Sequence, residues 1–455
     1  MVCHSKAVLQ ASLLFWAGCA SDAAPSQDHE RAAIEAFGVY TQTLGDADEH
    51  SEPGEAYTPE LTAQPATEPS DPYAFVQSQC PKGSADADQD GLCNAAEAAY
   101  GTDPNNVDTD ADFLNDAVEV YGSWTADGRH VDMPGFGAKP LRRDIFLELD
   151  YLPGYAPLQS AMDLVVQAFA NAPVTNPDKS TGIALHVRLD QEVSAQDAAA
   201  NAVIASWSQL ERLKQTYFDA QLVWYFHYAL FGNRLMTTTG RTSGVSSGIP
   251  GQSLLVTLGG LRPKTDLELA YHQAGTLMHE LGHNLGLHHG GHVYARDGRL
   301  VADDTAFKAN YLSVMNYNYQ TKPFRMNGVY RFDYARFEIA SLTENQLDEH
   351  AGLTPMGTTT RDDLAQIDGI RFMHEPAKGE ATLVGGWASY QLDFNGDGSI
   401  SAGNVAVDLD GNGLNTDTFA AQASDWANLQ FNGLGLVNSS ANFDATSELR
   451  PTPMQ

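Results

Sequence analysis

The run His279-Glu280-Leu281-Gly282-His283-Asn284-Leu285-Gly286-Leu287-His288-His289 has the residue types and spacing of a catalytic zinc site. On a helix, His279 and His283 lie one turn apart and project from the same face. Glu280 stands beside the first of them, placed to take a proton from water rather than to bind the metal. Gly286, three residues after His283, can end the helix in a left-handed conformation and turn the chain back. That turn would carry His289 in as third ligand and leave a fourth position for water. His288 is the rival third ligand by adjacency, but the full H-E-x-x-H-x-x-G-x-x-H spacing favours His289. Zinc held by three neutral imidazoles would activate water and polarise a scissile carbonyl. Glu280 would serve as general base and hand the proton to the leaving amine. His272 falls on nearly the same helix face two turns earlier and reads as a packing or cleft-rim residue, and His292 as a solvated loop histidine.

A second signal is Ser313-Val314-Met315-Asn316-Tyr317, with Met315 26 residues after His289. Together the two motifs resemble the metzincin metallopeptidases, whose methionine turn forms a hydrophobic floor under a three-histidine zinc. The resemblance spans roughly residues 140–375 and is specific at 279–289 and 313–317. It implies an α/β (α+β) domain with a twisted mixed sheet and a zinc-binding helix. It also implies a protein or peptide substrate, and an endopeptidase activity. Met315 would pack beneath the metal without ligating it. Tyr317 resembles the tyrosine of astacins and serralysins, which binds the metal or stabilises the transition state, and pappalysin-like metzincins share a similar one.

Elements able to position these residues are legible as hydrophobic periodicity. Asp144–Tyr151 alternates like a half-buried strand, and Leu158–Ala172 has helical spacing. Ile183–Leu189 and Gln221–Tyr228 read as strands with a helix near Ala202–Tyr217 between them, and Ser253–Leu258 as a short strand. By resemblance, the strand just before the zinc helix is an antiparallel edge of the cleft, able to bind an extended peptide by strand addition. Lys264–Leu285 is the zinc helix, with Leu269, Leu277 and Leu281 available for packing. Thr360–His374 reads as a late helix below the site, and part of a specificity pocket falls in Thr321–Tyr334.

Flanking segments carry aspartate ladders. Asp86, Asp88 and Asp90 precede Gly91, and Glu97 is twelfth counting from Asp86. Asp108, Asp110 and Asp112 repeat the spacing, with Asp116 ninth and Glu119 twelfth, although Phe113 stands where the first loop has glycine. Carboxylates at positions 1, 3, 5 and 12 can wrap one calcium ion. The segment 80–122 also resembles bacterial thrombospondin type 3 repeats. In 376–455, Asp393, Asn395 and Asp397 with Gly398 repeat the spacing, as do Asp408, Asp410 and Asn412 with Gly413. Asn404 and Phe419 stand at their twelfth positions, so these loops would borrow a ligand such as Asp417 or Asp425.

The 455 residues suggest two to three domains, and a 43% apolar fraction is enough for a sizeable core. A net charge of −32, from 58 acidic and 26 basic residues, argues against nucleic-acid binding. At the N-terminus, Lys6 precedes an apolar run from Ala11 to Gly18, too short to span a bilayer and suited to a signal sequence. Trp16-Ala17-Gly18-Cys19 resembles a bacterial lipobox, which makes 1–19 a signal peptide and Cys19 a lipidation site. The protein would then be exported, either secreted or lipid-anchored at a bacterial cell surface. Residues 20–79, rich in Ala, Pro, Glu, Asp, Thr and Ser with a candidate helix near Glu30–Thr43, read as a flexible tether or a propeptide. Cys80 and Cys93 remain as a pair that an exported protein could oxidise. The alternative to an exported zinc endopeptidase is a cell-surface calcium-binding or adhesion protein that uses the peptidase fold as scaffold.

Overall fold

A computed structural model describes residues 80–125, 128–235, 242–375, 380–384 and 386–434. They belong to one compact unit, Glu68–Gln455. The expected signal sequence, Cys19 and the 20–79 segment with its candidate helix lie outside the described residues.

The acidic ladders are wound loops, each leading into a short helix: α1 (Asn94–Tyr100) after the first and α2 (Asp116–Tyr121) after the second. In the first loop the Asp86 carboxylate accepts hydrogen bonds from the backbone N–H of Gln89 and Gly91. In the second, Asp108 accepts them from Ala111 and Phe113. The fourth and sixth positions are left-handed in both: Gln89 (φ 68°) and Gly91 (99°), then Ala111 (63°) and Phe113 (76°). Phe113 therefore holds the glycine conformation against its own Cβ. The helices carry Glu97 and Glu119 back to their loops. Asn115 caps α2 and donates from its side chain to the carbonyl of Asp90, locking the loops together. A Cys80–Cys93 disulfide, with Cα atoms 5.4 Å apart, encloses the first loop.

A five-stranded sheet follows, built from β1 (Asp144–Tyr151), β2 (Ala184–Glu192), β3 (Phe226–Gly232), β4 (Gly244–Ser246) and β5 (Ser253–Thr257). Its order is β2-β1-β3-β5-β4, parallel except for the antiparallel edge β4. Central β1 is buried along nearly its whole length, Glu148 and Asp150 included, rather than half-buried. Both faces are covered. On one, α3 (Gln159–Ala170) and α5 (Asp266–Asn284) pack on Ile145, Leu147 and Leu149. On the other, α4 (Trp207–Tyr217) brings Leu210 and Leu213 against Phe226, Tyr228 and Leu230.

Several elements differ from the sequence reading, among them the helix expected near Ala202–Tyr217, which begins at Trp207 after a short strand, Val203–Ile204. Strand β3 begins at Phe226, since Ala220–Leu222 is a 3-10 turn. Its continuous apolar run is that of a strand covered on both faces, where alternation is lost. The strand before the zinc helix, β5, is interior and parallel to β3, and the antiparallel edge is β4. The expected late helix is a single turn, α6 (Arg361–Leu364), started by a Thr360/Asp363 capping box. The chain then turns at Gly369 (φ 76°) into a strand, Arg371–Glu375. Near the end of 386–434 the chain returns to the sheet core: Trp426 packs on Phe169 and Tyr334 at ring separations of 5.3 and 4.8 Å, and the Gln430 N–H caps the Leu285 carbonyl.

Candidate functional site

Helix α5 starts at Thr265, whose side chain accepts from the Glu268 N–H while Glu268 reaches back to the Lys264 N–H. Its last two turns are buried and present His279 and His283, rings 4.8 Å apart. The helix ends in a Schellman motif: the Leu287 N–H donates to Gly282 and the Gly286 N–H to His283, with Gly286 at φ 84°. The reversal brings His289 to 5.3 Å from the His279 ring and 4.7 Å from the His283 ring. One nitrogen from each of the three lies within 4.8 Å of the others. His288 faces away and pairs with Asp304 at 2.9 Å.

Second contacts fix the imidazoles. His279 Nδ1 faces the Val314 carbonyl at 2.9 Å and His283 Nδ1 the Leu287 carbonyl at 2.7 Å. A carbonyl only accepts, so each Nδ1 carries the proton and Nε2 keeps its lone pair. His279 Nε2 is buried and has no hydrogen-bond partner. Burial pushes His279 down to about 4; burial and the neighbouring His279 push His283 down to about 3. These are neutral imidazoles converging on one point, and they fit zinc. Tyr317 places its hydroxyl 2.9 Å from His289 Nε2.

Glu280 is 2% exposed, with Oε1 unpartnered, and burial drives its carboxyl well above the usual range. It lies against edge strand β4 at Gly244. A Cβ there would stand 2.5 Å from Glu280 Oε1 and 2.7 Å from its Cγ. Sequence reasoning missed Gly244, because nothing in the Gly/Ser-rich stretch around it marks which glycine meets the carboxylate. Gly244→Ala should therefore displace Glu280. Any reaction that uses Glu280 should fall by roughly 10²-fold, with metal content unchanged. Steady-state rates beside metal analysis would read this, and a native rate in Gly244→Ala would refute the contact.

The methionine turn lies directly under α5. Met315 is fully buried, and a Cβ on Gly282 would come 2.4 Å from its Sδ. Asp425 braces the turn, accepting from Ser313 Oγ, Tyr311 OH and the Ala335 N–H at 2.7–2.9 Å. Asp425 is therefore not the borrowed ligand of a C-terminal loop. Asp417 stays in its own loop, bonded by Asn412. Two fully buried glutamates far upstream also address these loops. Glu349 accepts from the N–H of Asn395 and Ser401. Glu344 accepts from the N–H of Leu409 and Asp417. The winding is that of the first ladders: Asp393 accepts from Gly398, and Asp408 from Gly411 and Gly413. No local spacing could reveal glutamates so distant in sequence.

The first ladders are crowded and underpaired. The oxygens of Asp86, Asp88 and Asp90 converge within 4.8 Å, as do those of Asp108, Asp110 and Asp112. Both carboxylate oxygens of Glu97, Asp110 and Glu119 are buried without a partner. Burial, then neighbouring carboxylates, push Glu97 up to about 7 and Asp110 up to about 8. A hard divalent cation fits such oxygen donors. Glu148, Asp150 and Asp190 also cluster, but Arg188, Tyr228 and backbone N–H groups satisfy them.

No protein-family model and no curated protein matches the chain. Among solved structures 19 chains match, among them an archaemetzincin from Methanopyrus kandleri. That protein is 15% identical over 38% of this chain and 81% of its own, with a TM-score of 0.25. A likeness this slight carries no argument about the site.

Proposed function

We propose that this chain is an exported, zinc-dependent endopeptidase of metzincin type. The observation that carries the reading is the convergence of the His279, His283 and His289 nitrogens within 4.8 Å beside the buried Glu280 carboxylate, whose Oε1 has no partner. Zinc bound there would supply the positive charge that acidifies water and polarises a peptide carbonyl. Val314 and Leu287 hold the imidazoles in the ligating tautomer. Glu280 takes a proton from the attacking water and delivers it to the leaving amine. Tyr317 donates its hydroxyl to the oxyanion. On this reading an extended substrate adds to edge strand β4, which lies beside Glu280.

Calcium belongs to the same proposal, held by Asp86, Asp88, Asp90 and Glu97 and by Asp108, Asp110, Asp112 and Glu119. Unpartnered buried oxygens in both sets support it. The wound loops at Asp393-Asn395-Asp397 and Asp408-Asp410-Asn412 are its weaker members. Export, with a lipid anchor at Cys19 or plain secretion, is supported by the sequence motif and by the Cys80–Cys93 disulfide.

The test is incubation of the full chain, loaded with zinc and calcium, with a proteome-derived peptide library, followed by mass spectrometry. New internal termini that vanish when zinc is chelated are expected. No cleavage by zinc-loaded protein, before and after removal of residues 20–79, would favour the adhesion or scaffold reading.

A further inference from the structure

The second acidic loop does not hold its carboxylates alone. Asp144, the first residue of β1, is buried and brings an oxygen within 4.8 Å of oxygens from Asp112 and Glu119. Glu119 brings one oxygen into this space, both its oxygens lack a hydrogen-bond partner, and the residue is 1% exposed. Asp110, 3% exposed and likewise unpartnered at both oxygens, shares a cluster with Asp112 next to it. Four carboxylates from two stretches of chain thus meet out of contact with water.

Among the described residues, protein cations pair with Asp144 alone of the four. Arg142 reaches Asp144 Oδ1 at 3.2 Å and His186 reaches the same oxygen at 2.7 Å. Arg143 spends its Nε on the Asp110 carbonyl rather than on a carboxylate. The Lys139 N–H takes Asp144 Oδ2, and the Asp144 N–H takes Asp112 Oδ2. Each carboxylate oxygen has two lone pairs, so these bonds orient Asp112 and Asp144 and leave acceptor capacity facing the cluster. Nothing among the described residues reaches Glu119 or the Asp110 side chain.

We propose that Asp112, Glu119 and Asp144 are ligands of one calcium ion that joins the acidic-loop segment to the first strand of the catalytic sheet. This rests on reading 108–119 as a cation loop and adds a ligand that the loop's own spacing does not contain. Calcium takes six to eight oxygens in adaptable geometry, which suits a shell drawn from two segments. The bound ion is a clamp between the loop and the sheet strand that borders β2 and β3.

The test is calcium titration of the full chain by calorimetry, with melting temperatures in calcium and in EGTA. Asp144→Asn and Glu119→Gln should each weaken the same single site by at least about tenfold. Each should lower the calcium-dependent rise in Tm, and the double variant should lower it at least as far as either alone. Loss of the site in Glu119→Gln with native binding in Asp144→Asn would overturn the proposal and leave the loop as a self-contained site. Native calcium binding in both variants would overturn the cation-loop reading itself. Hydrogen exchange on the unsubstituted protein gives an answer that no folding defect can obscure. Calcium should slow exchange together at 108–119 and at 142–146, and protection confined to 108–119 would refute the bridge.

Discussion

Glu280→Gln should lower peptide-bond hydrolysis by about 10²–10⁴-fold, the usual range for a general acid–base group, while zinc remains bound. The amide keeps the shape that fits against Gly244 but cannot take a proton from water. The substitution also removes a burial penalty, because Glu280 is 2% exposed and its charged form is the one that burial disfavours. Thermal stability should therefore hold or rise as activity falls. That pairing separates a lost proton acceptor from a damaged fold. Rates, zinc content and Tm measured on one preparation would decide it, and a rate within a few-fold of native would remove Glu280 from the chemistry.

His289→Ala should lose zinc, and its neighbour His288→Ala should not. Removing His289 leaves two imidazoles. The fall in affinity should exceed about 100-fold, the upper end of what a lost outer-shell partner costs. His288 instead makes a partly exposed pair with Asp304, a contact that contributes roughly 0–1 kcal/mol. Zinc titration against a competing chelator distinguishes the two. Native affinity in His289→Ala would show that the metal sits elsewhere.

The zinc helix was legible because its signals are local. A 3.6-residue period and a glycine at the reversal define it, and the observed Asp266–Asn284 is two residues later at its start and one earlier at its end than the sequence reading. The methionine turn was found by resemblance, although what holds it, Asp425, is remote in sequence. The sheet was harder. Strand β1 was visible, but Phe226–Gly232 was placed too early because a strand covered on both faces shows no alternation to mark its start. The supposed late helix has apolar residues at Ile367, Ile370 and Phe372, which also suit strands, and Gly369 breaks the run between them. Gly244, Glu344, Glu349 and Asp144 act through contacts with distant stretches, and a single sequence carries no mark of those.

The Asp425 brace has a consequence for how the protein comes into being. Asp425 lies 114 residues beyond Tyr311 in the turn it supports, and Gln430 closes the helix end that delivers His289. A ribosome finishes the histidines long before it makes the two residues that secure their surroundings. A nascent chain holding all three imidazoles still lacks the brace under Met315 until Asp425 emerges. A completed site thus arrives late in synthesis, and a product truncated before Asp425 carries the histidines and the methionine turn without the brace that holds the turn.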